Sequence, residues 1–439
     1  MTRLLLVAAV AIVAVIAAAG VGAGATWDVY PGAGTPIQDA VDGAGEGDTI
    51  YVHAGTYIEN VNVDKRLTLI GEGADVVTVR AADAGDHVFD VTVDWVNILG
   101  FTVTGATDDW TAGIYLHHVE YCNISNNNAL NNRNGIDLLY SDNNTVSGIN
   151  ASDNNGGIRL INSSNNTLNA NNCSNNDYGI FLYSYSNNNT LSQNNAKSNE
   201  FEGIFLSYYS NNNTISQNNA YNNHEGISIS YSKGNILNDN NANSNDKYGI
   251  SLFGFGNGNT LSGNNVSNNS VGIVLAYYSN NNILNRNNVS NNWFGIYLNS
   301  STNNTLYHNN FLNNPQNAYD DGANTWDSGT DGNYWSDYNG TDPDGDGIGN
   351  DPYPIPGGES VDRFPLMQPW AGDTAQKGDL NHDHKITPAD AAIALEIAAG
   401  GSASCDATTL AAADVSGDNR VTSLDALMIL QAATAARDV

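Results

Sequence analysis

Gly203-Ile-Phe-Leu206 is one copy of a short phrase, Gly-Ile-x-Leu or Gly-Ile-Ser-Ile, that decides the fold of this chain. The phrase occurs nine times, starting at Gly113, Gly135, Gly157, Gly179, Gly203, Gly226, Gly249, Gly272 and Gly295. Its start-to-start spacing is 22, 22, 22, 24, 23, 23, 23 and 23 residues. A fixed period in this range is typical of stacked repeat architectures.

Each period also holds two further short apolar segments, as in Asn213-Thr-Ile215 and Asn265-Val266, separated by Asn, Ser and Gly. No apolar face recurs at helical spacing, whereas Ile and Leu of the phrase alternate with a variable residue. The pattern therefore predicts a right-handed parallel β-helix with three short strands per coil. Asparagine at equivalent turn positions is expected to stack from coil to coil, since its amide can bond the next amide along the axis.

The composition excludes some partners. The formal net charge is -31, from 15 Lys+Arg against 46 Asp+Glu, which argues against nucleic acid or an anionic membrane surface. It is compatible with calcium binding. Cys122, Cys173 and Cys405 form no disulfide framework, and we expect no structural disulfide.

The chain divides into five predicted segments. Residues 1–25 resemble a secretory signal, with Arg3 before an apolar run and Ala23-Gly24-Ala25 as the cleavage site; an uncleaved membrane anchor is the alternative. Residues 26–316 are the β-helix with an N-terminal cap, 317–370 a closing segment rich in Asp, Gly and aromatics, 371–377 a linker, and 378–439 a C-terminal module. We expect an extracellular or cell-surface protein, and no later stable membrane span.

The N-terminal cap is predicted to be a short helix over residues 36–41. Thr35 and Gln38 have the spacing of a capping box, with Pro36 at the first helical position. A helix there would cover the open end of the β-helix, which otherwise exposes unpaired strand edges.

The closing segment contains one calcium-loop pattern. Asp342, Asp344, Asp346 and Asn350 occupy positions 1, 3, 5 and 9, but Tyr353 replaces the usual carboxylate at position 12. The sequence predicts a calcium-stabilised cap here; the alternative is a solvated acidic turn.

The C-terminal module carries two loops in one calcium-binding frame, each followed by a helix, over 388–399 and about 423–436. The candidate calcium ligands are Asp379, Asn381, Asp383, Lys385, Thr387 and Asp390 in the first loop and Asp414, Ser416, Asp418, Arg420, Thr422 and Asp425 in the second. The basic residues stand at position 7, where the backbone carbonyl is the ligand. An acidic helical hairpin without metal is the alternative.

This pair of loops resembles a type I dockerin, with Asp at position 12 and no helix before the first loop. The resemblance implies a small α-helical, calcium-dependent module that docks to a cohesin module. In that family, loop positions 10 and 11 help to choose the cohesin; here they are Pro388-Ala389 and Ser423-Leu424.

The Asn-Asn-Thr-Leu and Gly-Ile-x-Leu phrases resemble the NosD-like and carbohydrate-processing β-helix repeats, which have the pectin-lyase-like fold. Asn333-Tyr-Trp335 and Pro352-Tyr-Pro-Ile-Pro356 resemble the closing segment of NosD-like surface proteins from methanogenic archaea. Copper, which the family name suggests, has weak support because the histidines are scattered and do not cluster with Met or Cys.

Two acidic residues at the same position of consecutive repeats form a candidate catalytic pair. Glu202 and Glu225 each precede their phrase glycine on consecutive coils, so their carboxylates could approach to about 5 Å, near the separation in a retaining glycosidase. Two solvated surface glutamates are the alternative. Asp137 and Arg159 share the outward position of neighbouring coils and are expected to form an exposed ion pair.

Aromatic residues recur five or six residues after the phrase glycine. The candidate carbohydrate-binding residues are Tyr185, Tyr208, Tyr209, Tyr231, Phe255, Tyr277 and Tyr278. In a β-helix they form a column along one edge, where ring faces suit sugar rings; the alternative is that they shield the turn.

Two functional hypotheses follow. One is a secreted β-helix that binds or displays polysaccharide and is docked through its dockerin to a cohesin-bearing surface complex. The other is a dockerin-borne polysaccharide hydrolase acting on O-glycosyl bonds, with Glu202 and Glu225 as catalytic residues.

Overall fold

The computed structural model of the 439-residue chain describes residues 24–371, 377–378, 380, 386–399, 410, 412–417 and 420–435. The predicted signal, apart from residues 24–25, and most of the predicted linker lie outside the described residues. The chain divides into two compact units after residue 368. Among the described helices, none is long and apolar enough to cross a membrane.

The first unit is a right-handed parallel β-helix in which each coil adds one strand to each of three sheets, which confirms the predicted fold. One 13-stranded sheet contains Thr26–Val29, Thr49–Val52, Thr68–Gly71, Asn97–Leu99, Asn123–Ser125, Thr145–Ser147, Thr167–Asn169, Thr190–Ser192, Thr214–Ser216, Ile236–Asn238, Thr260–Ser262, Ile283–Asn285 and Thr305–Tyr307. A second 13-stranded sheet contains Gly55–Ile58, Val77–Arg80, Thr102–Thr104, Asn128–Leu130, Asn150–Ser152, Asn172–Ser174, Asn195–Lys197, Asn219–Tyr221, Asn241–Asn243, Asn265–Ser267, Asn288–Ser290, Asn310–Leu312 and Tyr334–Trp335.

The third sheet, here called the phrase sheet, carries the Gly-Ile-x-Leu strands and has 12 members. They are Val61–Val63, Phe89–Val91, Ala112–His117, Asn134–Leu139, Gly156–Ile161, Tyr178–Tyr183, Glu202–Ser207, Glu225–Ser230, Tyr248–Phe253, Val271–Ala276, Phe294–Asn299 and Gln316–Asp320. A short antiparallel pair, Tyr353–Pro354 with Val361–Asp362, follows in the closing segment.

Coils stack in register. In the phrase sheet Ile204 pairs with Ile180 on the preceding coil and with Ile227 on the following one. The second and fourth side chains of the phrases are buried, at 0–1% exposure. Each such side chain contributes roughly 1.5–3 kcal/mol on transfer from water. The register places residues with the same offset in the repeat one above another, on the outside as well as the inside.

Columns of buried asparagines line the turns, as the sequence predicted. In one column Asn218 is fully buried. Its Oδ1 accepts hydrogen bonds from both the backbone N–H and the side-chain amide of Asn194, each at 2.9 Å. Its Nδ2 donates to Asn240 Oδ1 at 3.0 Å and to the Leu191 carbonyl at 2.9 Å. The side chains therefore continue the hydrogen-bond ladder of the sheets through the corners.

In the frequent Asn-Asn doublets, the first and second asparagines have different structural roles. Asn212, with φ +56°, adopts the left-handed backbone that asparagine tolerates, and the next residue, Asn213, is the buried member of a column. Asn165 and Asn166 repeat this arrangement. One residue turns the chain and the other satisfies buried backbone groups.

The helix Pro36–Gly43 covers the N-terminal end of the β-helix, but the predicted capping box is wrong. Thr35 makes no side-chain capping bond. Instead, the carboxylate of the fully buried Glu59 accepts from the N–H groups of Ile37, at 3.2 Å, and Gln38, at 2.9 Å. A residue from the next coil thus satisfies the free N–H groups that begin the helix.

The closing segment covers the other end with buried indoles. Trp335 stacks on Phe311 with ring centroids 4.4 Å apart, and Trp326 packs 5.7 Å away. The Trp335 N–H donates to Asp362 Oδ2 at 2.9 Å. Burial raises the pKa of Asp362 to about 6 despite these bonds.

The second unit contains the helices Pro388–Ala398 and Ser423–Ala435, close to the predicted ranges. Thr387 and Asp390 form a reciprocal capping box at the first helix. A small core joins the helices; its buried members are Leu380, Ala391, Ala394, Ala412, Ala413, Ala426 and Ile429.

The described cysteines, Cys122 and Cys173, are buried and free, whereas Cys405 lies outside the described residues. Burial raises the pKa of the Cys122 thiol to about 11. These two thiols are therefore inert core side chains.

Candidate functional site

The predicted carbohydrate-binding residues lie together at the turn that follows the phrase-sheet strands. We call this surface the aromatic edge; its members are Tyr185, Tyr208, Tyr209, Tyr231, Phe255, Tyr277 and Tyr278. They span five consecutive coils and are 46–64% exposed. The structure therefore brings the whole predicted set into one exposed surface. The Tyr231 ring also lies against Gly254 in the turn of the next coil, as the turn-shielding alternative expects.

The rings form contacts from coil to coil. Tyr185 stacks on Tyr209 with centroids 5.4 Å apart, and Phe255 stacks on Tyr278 at 5.5 Å, both pairs within 16° of parallel. Tyr231 links the column, 6.4 Å from Phe255. Such offset stacks hold the rings in place while about half of each side chain stays exposed.

The backbone beneath the rings is strained. Tyr208 and Tyr209 have φ values of +50° and +64°, and Tyr277 and Tyr278 have +56° and +66°. A left-handed backbone costs a bulky side chain of order 1 kcal/mol, and glycine or asparagine would relieve it. The same left-handed backbone occurs at the equivalent position of other coils, at Asn162, Ser184 and Ser300, so this turn conformation belongs to the repeat.

Glu202 and Glu225, here called the acid pair, are register partners at the start of neighbouring phrase-sheet strands. Glu225 is buried, at 8% exposure, and Glu202 is partly buried. Both are therefore more enclosed than the solvated glutamates of the alternative interpretation. Tyr178 and Tyr248 occupy the same position on the coils before and after, so the two carboxyl groups lie between aromatic side chains.

Two residues of the following coil hold Glu225 in place. Ser251 Oγ donates to Glu225 Oε2 at 2.9 Å, and Lys247 Nζ lies 3.6 Å from Oε1. Ser251 also contacts Ser228 Oγ at 2.8 Å. Ser251 and Lys247 belong to the repeat that follows Glu225. Comparing the acid pair with the equivalent positions of that next repeat would have identified both residues from the sequence.

Glu202 differs from its partner in its protonation behaviour. Burial, and secondly the charge of Glu225, raise the pKa of Glu202 to about 7. A carboxyl group with this pKa holds a proton near neutrality and can donate it, as the general acid of a glycosidase does. Glu200 and His224, which flank the pair in sequence, are exposed.

Two cavities lie beside the aromatic edge, and one of them is lined by Lys247, which contacts Glu225. One, of about 280 Å³, is lined by Ser230, Tyr231, Lys247, Tyr248, Phe253, Gly254 and Tyr277. The other, of about 330 Å³, is lined by Tyr248, Phe253, Val271, Val274, Ala276, Tyr277, Phe294, Tyr297 and Asn299. Tyr248 and Tyr277 border both cavities. They form a continuous, mainly aromatic depression on the outer face of the phrase sheet.

A larger cavity, about 700 Å³, lies elsewhere, against the closing segment. Its charged lining includes Arg363, whose guanidinium donates to Asp327 at 2.9 and 2.6 Å. This ion pair satisfies both partners within the protein.

Asp137 and Arg159 do form the predicted ion pair, but the expectation that it is exposed is wrong. Asp137 is fully buried, and the Arg159 side chain is 18% exposed. The guanidinium closes over the carboxylate, with Nε donating at 3.0 Å to Oδ1.

The calcium-loop pattern of the closing segment brings three carboxylates together. One oxygen each of Asp342, Asp344 and Asp346 lie within 4.8 Å of one another. Backbone N–H groups of Gly345 and Gly347 donate to Asp342 at 2.7 and 2.9 Å and hold the loop around it. Three clustered carboxylates fit a hard, oxygen-binding cation such as calcium.

Position 12 of that loop does not contribute a ligand. The Tyr353 ring stacks on Trp335 at 4.2 Å, and its hydroxyl contacts both Asp337 oxygens at 3.1 Å. The loop is thereby attached to the indole that covers the last coil.

The two C-terminal loops are similar around their position-12 carboxylates. Asp390 accepts from the Leu380 N–H at 2.9 Å, and Asp425 accepts from the Ser416 N–H at 3.0 Å. Each also accepts from the N–H and hydroxyl of its position-9 threonine, at 2.8–3.0 Å. Burial alone would raise the pKa of Asp425, but hydrogen bonds from Ser416 and Thr422 lower it to about 2.

Both carboxylates are turned into their loops, next to the hydroxyl of the position-9 threonine, and Asp425 is ionised. This arrangement fits calcium. Asp414 lies in the second loop, where Oδ1 accepts from Gly417 N–H at 2.7 Å. The candidate ligands Asp379, Asn381, Asp383, Lys385 and Asp418 lie outside the described residues. The predicted cohesin-binding residues Pro388, Ala389, Ser423 and Leu424 are exposed in the first turns of the two helices.

The described residues give no support for copper. Apart from Asp342, Asp344 and Asp346, the described part of the chain contains no group of three His, Cys, Asp or Glu side chains close enough to share a metal ion. His117 and His118 are adjacent rings, 4.4 Å apart, without a third candidate ligand.

Fold and site together define a β-helix repeat protein with an exposed aromatic edge and a helical module that follows a calcium-loop pattern. The chain belongs to the NosD family, described as periplasmic copper-binding protein (NosD), whose profile matches residues 41–219 and 198–340. The type I dockerin domain matches residues 377–432; domains of this type bind calcium.

A cell surface glycoprotein of Methanothermus fervidus is 31% identical over 99 residues, 22% of this chain. The match spans only 16% of that relative.

Among solved structures, the A-module of mannuronan C-5 epimerase AlgE4 from Azotobacter vinelandii has a TM-score of 0.58 at 18% identity, covering 69% of this chain and 98% of that chain. The Dettilon tailspike protein has a TM-score of 0.57 at 16% identity, covering 69% of this chain and 68% of that one. The catalytic domain of a GH87 α-1,3-glucanase has 0.53 at 14% identity, covering 68% and 66%. At these identities the likeness establishes the fold alone.

Proposed function

We propose that this is a secreted, surface-docked protein whose β-helix binds polysaccharide along the aromatic edge. The observation that carries the proposal is the column of seven rings, 46–64% exposed over five coils. Within the described part of the chain, no hydrogen bond engages the hydroxyl groups of its six tyrosines. Each therefore offers an apolar face and a free polar tip, the combination that recognises sugars.

The C-terminal module supplies the attachment. Its match to type I dockerins supports a cohesin module as partner, bound through the exposed residues at the starts of the two helices. The partial match to a cell surface glycoprotein and the signal-like N-terminus support an extracellular location. Calcium, held by the two loops, would order the helices that present this surface.

Pull-down on a panel of insoluble polysaccharides tests the proposal. A variant with Tyr208→Ala, Tyr231→Ala and Tyr278→Ala should lose most binding, because each stacking ring contributes about 1 kcal/mol. The matched control is Trp95→Ala with Tyr121→Ala. That pair is stacked at 4.5 Å, 54% and 46% exposed, and also on left-handed backbone. Equal retention of both variants would remove the aromatic edge as the binding surface.

The acid pair favours a second candidate function, hydrolysis of a glycosidic bond. Glu202, with its pKa raised to about 7, would act as general acid, and Glu225, oriented by Ser251 and Lys247, as nucleophile or base. Activity would fall as pH rises through about 7, because Glu202 then loses the proton it must donate.

A reducing-sugar assay over the same panel tests the hydrolase. Glu202→Gln and Glu225→Gln should each abolish turnover, whereas the exposed Glu200→Gln should not. Binding without turnover in the wild-type chain would leave the non-catalytic function, and turnover retained in both glutamine variants would exclude the acid pair.

A further inference from the structure

A separate cavity of about 240 Å³ lies on the β-helix outside both the aromatic edge and the acid pair. It is lined by Asp109, Trp110, Arg133, Asn134 and Arg159. The chain has only 15 basic residues against 46 acidic ones, and two of the arginines meet here. The cavity is therefore an unusual concentration of guanidinium groups on an otherwise acidic protein.

Trp110 forms an exposed wall of this cavity. Its side chain is 75% exposed, and its backbone has φ +69°, a left-handed conformation that is strained for a bulky residue. The Arg159 guanidinium carbon lies 5.7 Å from the centre of the indole ring. A strained, exposed indole beside a cation provides a flat face for a sugar ring and a charge at its margin.

Arg159 is fixed in position before any ligand arrives. The buried Asp137 accepts hydrogen bonds from its Nε and from one terminal nitrogen. Breaking such a buried pair is costly, so the guanidinium is held rigidly. Of its five N–H groups, those not directed at Asp137 remain for an incoming acceptor.

Arg133 is held less firmly. Its guanidinium lies 3.5 Å from Asp109, whose side chain is 79% exposed, and is itself 43% exposed. An ion pair this exposed contributes little, so an anionic ligand can displace Asp109. The carboxylate of Asp137 is already covered by Arg159. The cavity can therefore take up one further anionic group.

We propose that this cavity binds an acidic sugar residue of a polysaccharide, a uronate, with the ring on Trp110 and the carboxylate between Arg133 and Arg159. Planar guanidinium groups match carboxylate geometry, since two parallel N–H groups meet two oxygens. The aromatic edge contains no charged member, so this second site adds selection for charge. It does not depend on the edge or the acid pair being functional.

Calorimetric titration of the full chain with an oligogalacturonate, a neutral gluco-oligosaccharide of equal length and inorganic phosphate tests the proposal. Trp110→Ala and Arg133→Gln should each weaken oligogalacturonate binding by about tenfold or more, as expected for loss of a stacking face or of a charged hydrogen bond. The matched controls are Trp293→Ala, at 63% exposure, and Arg66→Gln, 44% exposed and 3.8 Å from Glu46. They should change it less than twofold.

Neutral oligosaccharide bound as tightly as oligogalacturonate would overturn the proposal, as would cavity variants indistinguishable from their controls. Phosphate that binds as tightly as oligogalacturonate and is unaffected by Trp110→Ala would show a simple anion site, which also overturns it. Circular dichroism verifies that each variant retains its β-structure, which is expected because both substituted side chains are exposed.

Discussion

Asn218→Ala provides a quantitative test of the asparagine columns. The substitution removes four side-chain hydrogen bonds: two donated by Asn194 and two donated to Asn240 and the Leu191 carbonyl. The buried N–H of Asn194 then loses its acceptor, which costs about 1–3 kcal/mol, and each of the other lost bonds about 0.5–1.5 kcal/mol. We expect a total destabilisation of about 3–5 kcal/mol, after partial relaxation of the turn.

Urea unfolding followed by far-ultraviolet circular dichroism measures this loss. The matched control is Gln217→Ala, one residue earlier, where the side chain is exposed and the backbone has φ +56°; it should change stability by less than 0.5 kcal/mol. If Asn218→Ala costs no more than Gln217→Ala, the columns are not a source of stability and the reasoning fails.

Three further predictions concern the titratable and calcium-binding groups. Because the folded pKa of Glu202 is about 7, above the unfolded value of about 4.3, the folded state binds more protons between these pH values and loses stability as pH rises, by about 1–3 kcal/mol. Unfolding at pH 4 and pH 8 should show a smaller loss in Glu202→Gln than in wild type; equal losses would contradict the assignment. Asp425→Ala should weaken calcium binding to the C-terminal module by about tenfold or more in calorimetry, because a carboxylate ligand is lost, whereas the exposed Glu396→Ala should not; unchanged affinity in Asp425→Ala would exclude that ligand. Asp344→Asn should lower the calorimetric calcium stoichiometry of the full chain from three ions to two, and identical stoichiometry in both proteins would remove the closing-loop site.

The repeat determined what sequence reasoning could predict. A constant period combined with alternating apolar residues leaves few folds, and in-register stacking then places residues of equal offset together. The acid pair and the aromatic edge were found in this way, because each depends only on offset. The doublets of asparagine were recognised as turn elements, although the separate tasks of the two members emerge only from the backbone angles.

The features that the sequence did not predict depend on contacts between coils, and the repeat period does not encode these contacts. Glu59 caps the first helix from 21–22 residues away. The local pattern at Thr35 therefore predicted a capping box that does not form. Asp137 is buried because Arg159 of the next coil covers it. The outward positions of the two residues in the repeat predict an ion pair but not this burial. The cavity at Trp110 forms where an irregular loop meets the regular coils, and the repeat does not predict the position of that loop.

The most direct measurement is tyrosine nitration of the full chain, with and without a polysaccharide that it binds, quantified by peptide mass spectrometry. If the account is correct, bound polysaccharide protects Tyr208, Tyr231 and Tyr278 strongly, while Tyr30 and Tyr121, which are 62% and 46% exposed, react as before. Protection that is absent from the edge, or equal at all exposed tyrosines, would contradict polysaccharide binding by the aromatic edge.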